Sequence, residues 1–197
     1  ASTMSLGDEL TGSSFALQIS SGGVFNGGSG THTIGSVRVN GGSDGNFTFS
    51  SGATEINGME NSSSLSFLYV NRDVTHSSGT ITVTTSTASQ ILLYDTDLTL
   101  NDLIINSGVV HKIWTEKSDG SDENTLTCAG DLTITDGELG TKYSSQDNVN
   151  LTVTGTTQVT GTLTCNASTI SLGSGLTSGW GLDIQSGGTF TGGSGTH

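Results

Sequence analysis

Few residues in this sequence have the types and spacing that chemistry requires. Residues 27–35, GGSGTHTIG, follow the glycine-rich calcium repeat G-G-x-G-x-D-x-U-x except that His32 stands where the repeat needs an Asp. That carboxylate is the ligand a hard cation seeks, so the stretch reads as a glycine turn leading into a strand. The acidic loop EKSDGSDEN (116–124) gathers Asp119, Asp122 and Glu123 beside Glu116. These three are the weak candidates for calcium, but their spacing matches no EF-hand loop and solvated loop charge is the plainer reading. The expectation is therefore no cofactor and no metal. Cys128 and Cys165 close identical TLTC strings. Strand alternation turns both inward with Leu126 and Leu163, as buried free thiols, a ladder pair or a disulfide. Acid–base cleavage of polysaccharide needs a carboxylate pair, or a carboxylate with Arg or Lys, on one face. The cations are only Arg38, Arg72, Lys112, Lys117 and Lys142, and Asp95, Asp97 and Asp102 form an ordinary acidic group. With no nucleophile motif and no phosphate loop, the chain is not expected to be an enzyme. Trp114 and Trp180 could stack on sugar, although Trp180 aligns with Phe15 and so points to a core or corner role.

The composition says which elements would carry these residues. Of 197 residues, 30 are Gly, 30 Ser, 32 Thr and none Pro. Gly, Ser and Thr are poor helix formers, which excludes a helical protein. Net charge is −13, with five Lys and Arg in all; five scattered cations cannot neutralise a run of phosphates, so nucleic acid is not an expected partner. No apolar run approaches the roughly 18 residues of a membrane span, so membrane insertion is not expected. Aliphatic residues alternate with Thr and Ser over many short segments, the pattern of strands that bury one face.

Internal repetition decides the architecture. Residues 21–32 (SGGVFNGGSGTH) recur as 186–197 (SGGTFTGGSGTH) and agree at ten of twelve positions. The match extends back to ASTMSLGDELT (1–11) against ASTISLGSGLT (167–177), with one single-residue gap. The chain divides into one complete module, 1–166, and the start of a second copy, 167–197. Because the copies have diverged and the second stops in mid-motif, a longer tandem array is expected. Inside the module, a strand followed by a glycine turn recurs at Gly22, Gly52, Gly108, Gly137 and Gly187, with Gly79 a weaker case. The gaps suggest six equal units per module, each of about 28 residues, within the range of repeat architectures.

A unit of that length fits three short strands joined by tight turns, one coil of a parallel β-helix. The expected fold is all-β, a β-solenoid with about seven coils of roughly 25–30 residues, each burying its apolar side against its neighbours. With coils about 4.8 Å apart, the rod is about 34 Å long. The absence of Pro agrees, since Pro would delete a ladder donor inside a sheet. The rival is a string of tandem antiparallel β-sandwich domains, with NVNLTVTGTTQVTGTLTC (148–165) as a hairpin pair.

Phrases such as SGGTFTGGSGTH and LTVTGTTQVTGTLT (151–164) resemble the β-helical tandem repeats of bacterial surface adhesins and phage fibres. The resemblance covers most of the chain and carries over no functional residue. It implies a non-catalytic structural module of a long extracellular fibre or filament, on a cell or virion surface, acting as a stiff spacer. Its expected partners are further copies of itself stacked end to end. The alternative is an adhesin segment binding glycan or another cell surface, through loops 115–124 and 141–149. Ice binding is a weaker reading. It rests on Thr-x-Thr pairs from Thr31/Thr33 to Thr189/Thr191 whose spacing marks no single face.

Overall fold

A computed structural model describes residues 3–7, 14–40, 46–60, 65–72, 74–76, 78–116, 124–143 and 148–197. The described residues contain strands and no α-helix. Coil by coil, the strands are β1 (Met4–Leu6), β2 (Leu17–Ile19) and β3 (Val24–Asn26), then β4 (His32–Ile34), β5 (Val37–Val39) and β6 (Asn46–Thr48). Next come β7 (Ala53–Ile56), β8 (Ser66–Val70) and β9 (Val74–Thr75), followed by β10 (Thr80–Val83), β11 (Ser89–Tyr94) and β12 (Leu98–Leu100). Then β13 (Asp102–Glu116) and β14 (Thr125–Cys128), and β15 (Leu132–Gly140) and β16 (Asn150–Val153), form a coil each; β13 and β15 run on through a corner and so supply two faces. The chain closes with β17 (Thr157–Val159), β18 (Thr162–Thr164), β19 (Ile170–Leu172), β20 (Leu182–Ile184) and β21 (Thr189–Thr191).

Every pairing is parallel and joins a strand to its counterpart one coil away, which makes the chain a three-faced β-solenoid. The first face is β1-β4-β7-β10-β13-β15-β17-β20. The second is β2-β5-β8-β11-β13-β15-β18-β21. The third is split into β3-β6-β9 and β12-β14-β16-β19. Antiparallel sandwiches are thereby excluded, because no described strand pairs with a neighbour in sequence. The coils are unequal. From Thr80 to its neighbour Asp102 one coil takes 22 residues, and from Asp102 to Asp131 the next takes 29 residues. Short coils recur where His32 pairs with Thr54, so the mean falls below the equal unit that the glycine spacing suggested.

The cause is where the glycine turns fall. Gly22 turns the chain from the second face to the third, Gly52 and Gly79 from the third to the first, and Gly108, Gly137 and Gly187 from the first to the second. The gap from Gly22 to Gly52 therefore spans a coil and one further face, as does that from Gly79 to Gly108. Only Gly52 and Gly79 lack the left-handed backbone of the other four, whose φ runs from 69° at Gly108 to 92° at Gly187. Gly52 is instead held by close approach, since a Cβ there would lie 2.5 Å from the Gly30 carbonyl oxygen of the previous coil.

Alternation fills the axis with aliphatic rows. The longest runs Leu6, Ile34, Ile56, Val83, Ile105, Ile134, Val159 and Ile184, one residue from each first-face strand. Its six middle members are buried. Full burial of each such side chain contributes about 1.5–3 kcal/mol. On the third face Phe25 stacks on Phe47 at 5.1 Å, and Phe49 meets Phe47 edge-on at 4.6 Å. Carboxylates and amides tie successive corners. Asp97 accepts from the Thr125 N–H (2.7 Å), Asp102 from Asp131 (2.9 Å), Asp131 from Thr156 (2.7 Å) and Asn150 from Thr169 (3.0 Å). Asp97 and Asp102 thus work as corner ties between coils.

Candidate functional site

The outward positions of the first and third faces are mostly hydroxyl and charged groups, whereas the middle of the second face carries a cluster of aromatic side chains. Strand pleating puts Arg38, Tyr69, Leu92 and Trp114 in one outward row on β5, β8, β11 and β13. The Arg38 guanidinium lies 4.6 Å from the Tyr69 ring centre and 5.6 Å from that of Phe15, close enough for cation–π attraction. Tyr69 also faces Tyr94 at 6.4 Å, and Trp114 stacks on Tyr143 at 5.2 Å. All three tyrosines and one of the two tryptophans are therefore on this face. The Tyr69 hydroxyl is pushed above its ordinary range by burial, which outweighs the opposing pull of Arg38.

Beside this row a cleft of about 350 Å³ opens at the corner between the first and second faces, lined by Leu65, Ala88, Ser89, Gln90, Val110, Lys112 and Tyr143. Behind its wall His111 is fully buried. Its Nδ1 lies 3.1 Å from Ser89 Oγ and its Nε2 2.7 Å from Ser107 Oγ, while Phe67 packs edge-on at 5.4 Å. Burial lowers its pKa to about 4, opposed by a hydrogen bond from the ring N–H to the Ser89 backbone, which favours the charged form. At neutral pH the ring is uncharged and a weak base, poorly matched to proton abstraction. Both ring nitrogens are engaged by hydroxyls, so the cluster ties a corner rather than presenting a free base to the cleft. Apolar wall, aromatic platform and the polar groups of Gln90 and Lys112 together make a site suited to binding.

The sequence candidates fall in different places. Asp119, Asp122 and Glu123 lie outside the described residues, as do most of the two loops assigned to glycan contact. Among the described residues, no group of three or more His, Cys, Asp or Glu could hold a metal ion. His32 points inward from β4, and its Nε2 bonds the Gly27 carbonyl at 2.7 Å, closing the glycine turn. Cys128 and Cys165 are free and buried. Cys128 lies on the third face between Leu100 and Val153, and Cys165 follows the second-face strand β18, so they are not ladder neighbours. Burial pushes the Cys128 thiol up to about 12, with Asp102 and Asp131 adding to it, and that of Cys165 to about 11.

Trp114 belongs to the aromatic row, half-buried. Trp180 sits at the corner between β19 and β20, as its alignment with Phe15 allowed, but it is 76% exposed and so not part of the core. Phe15 leans on Arg38 and Tyr69 in the coils that follow it, whereas among the described residues no later coil lies against Trp180. The Thr-x-Thr pairs spread over three faces: Thr80/Thr82 on the first, Thr162/Thr164 on the second and Thr125/Thr127 on the third. The second-face aromatic row and the His111 cluster escaped the sequence reading. Ser89 and His111 are 22 residues apart, one short coil, and only that local coil length makes the pairing visible.

Among the described residues no helix is long and apolar enough to cross a membrane. Compared with known proteins, the chain matches no family, no curated protein and no solved structure.

Proposed function

We propose that this chain is a stiff, non-catalytic spacer, a structural module of an extracellular or virion-surface tandem-repeat fibre whose partners are further copies of itself. The observation that supports this most is the aliphatic row from Leu6 to Ile184, continuous through every first-face strand. Bending such a rod separates side chains and ladder hydrogen bonds on one side of every coil at once, so stiffness accumulates along the stack. A net charge of −13 keeps rods from clumping sideways. Small-angle scattering on the monomer tests the reading: a rod-like profile with a constant cross-section supports it, and a flexible-chain profile removes it.

The aromatic second face favours one further reading, an adhesin segment that binds glycan. Sugars stack on aromatic faces through their apolar C–H surfaces, and Trp114 with Tyr143 beside Gln90 and Lys112 offers such a platform. Selective signals on a glycan array that vanish in Trp114→Ala would favour this reading; a blank array, or signals indifferent to that change, would remove it.

A further inference from the structure

The cations of this acidic chain gather on one face. Four of the five Lys and Arg are among the described residues, and all four lie on second-face strands or just past their ends: Arg38 on β5, Arg72 after β8, Lys112 on β13 and Lys142 after β15. The same strands carry two acids, Glu116 and Glu138. Away from this face the described Asp, Glu, Lys and Arg are all acids, with Glu55 outward on the first face and Asp97, Asp102 and Asp131 at the ends of the third. Charges are screened over about 8 Å at physiological ionic strength, and sheets pack about 10 Å apart. A ligand on the second face therefore meets the charges of that face rather than the net −13 of the chain.

The sorting is sharpest at the cleft of about 350 Å³. Lys112 is the one charged residue in its lining, and no Asp or Glu lines it. Glu138 borders the site without lining it: a Cβ on Gly140 would lie 3.7 Å from its Oε1 and 3.7 Å from Lys112 Cγ. Tyr143 lines the cleft, whereas Trp114, stacked on it at 5.2 Å, does not. Tyr143 is thus the ring a ligand meets, and Trp114 holds it from behind. Leu65, Ala88 and Val110 make the remaining wall apolar. An aromatic ring, an apolar wall and a single ammonium suit a ligand with one apolar face and one anionic group. A carboxylate on that ammonium makes a charge-assisted hydrogen bond, roughly twice as strong as the bond a sugar hydroxyl makes with a neutral donor. A second cation follows on the same face: Arg38, held over the Tyr69 ring at 4.6 Å, lies three coils away, about 14 Å along the axis. A polymer with repeated carboxylates engages both.

We propose that this cleft binds a uronic-acid residue of an acidic polysaccharide, with the apolar face of the sugar on Tyr143 and its carboxylate on the Lys112 ammonium. The inference rests on the glycan-binding reading and names its sugar class. Neutral sugars share the ring contact and lack the ionic one, so the charge of the ligand decides selectivity here.

The test titrates the full chain with galacturonate and mannuronate oligosaccharides and with their methyl esters, which keep the ring and lose the charge. One uronate at least is expected to bind, with its ester about tenfold weaker. Lys112→Ala should lose about tenfold on the acid and leave the ester unchanged, and Lys112→Arg should keep most of the affinity. Tyr143→Ala should weaken acid and ester alike, and added salt should weaken the acid alone. Equal binding of acid and ester, or binding of the acid indifferent to Lys112→Ala, would overturn the acidic class and leave the glycan reading intact. So would failure of both uronates while other sugars give array signals that vanish in Trp114→Ala. A blank array together with no uronate binding would overturn both readings. Poly-glutamate binding as tightly as the uronates would make an acidic peptide the occupant and overturn the sugar.

Discussion

Acid should loosen this protein through one imidazole. His111 is fully buried, held between Ser89 and Ser107, and its pKa falls from the ordinary 6.5 to about 4. Between those values the unfolded chain binds a proton that the folded chain refuses, so stability rises with pH across this window. The contribution is complete above pH 6.5 and lost as pH falls to 4. At about 1.36 kcal/mol for each pH unit between the two values, it amounts to about 3 kcal/mol, of which about 2 kcal/mol is already gone at pH 5. With a urea slope of about 2 kcal/mol/M, the midpoint should fall by about 1 M between pH 7 and pH 5. Carboxylate titration on this acidic chain also changes stability, but it acts equally in His111→Gln, whose buried amide does not titrate. The measurement is therefore the difference in midpoint between the two proteins as a function of pH. His111→Gln should be less stable at pH 7 and the gap should close by about 2 kcal/mol at pH 5. Parallel pH profiles for the two proteins would refute the reasoning.

Other perturbations report on other levels of the fold. A Cβ on Gly137, where φ is 82°, would run into the carbonyl oxygen of Val109 one coil below, whereas one on Gly22, at φ 76°, meets nothing. Gly22→Ala should cost about 1 kcal/mol, from left-handed backbone alone. Gly137→Ala should cost about 2 kcal/mol or more beyond that, because backbone must move as well; equal denaturation midpoints would contradict the coil-to-coil contact. Phe47→Ala removes a ring that touches both Phe25 and Phe49 and should cost about 3–5 kcal/mol in urea unfolding; a loss below about 1 kcal/mol would mean that the third face is loosely packed. Cys128 and Cys165 should be inert to Ellman's reagent in the native protein and both react in denaturant. Because the folded chain holds their protons longer, stability should fall as pH climbs above about 9; fast native-state labelling would show that they are not buried.

The solenoid was legible because its signals are local. Alternation in LTIT and LTVT sets which residues face inward, and missing Pro leaves every ladder donor in place. The coil length was harder to read, since glycine marks a corner without saying which one. Gly52 and Gly79 occupy the same corner of successive coils, whereas Gly22 and Gly52 occupy different corners, although similar lengths of chain separate the two pairs. Spacing between turns thus mixes whole coils with single faces, and the module divides into six equal units only if those faces are ignored. Residues that pair one coil apart inherit the same uncertainty. Ser89 meets His111 across 22 residues and Asp102 meets Asp131 across 29. Any fixed period misses one of them. The aromatic face was hidden for the same reason, as Arg38, Tyr69, Leu92 and Trp114 follow one another at unequal intervals along the chain. What varies is corner length, while strand register is held by the pleat. A reading that fixes each strand by its inward residues and lets every corner take its own length would have aligned those four side chains.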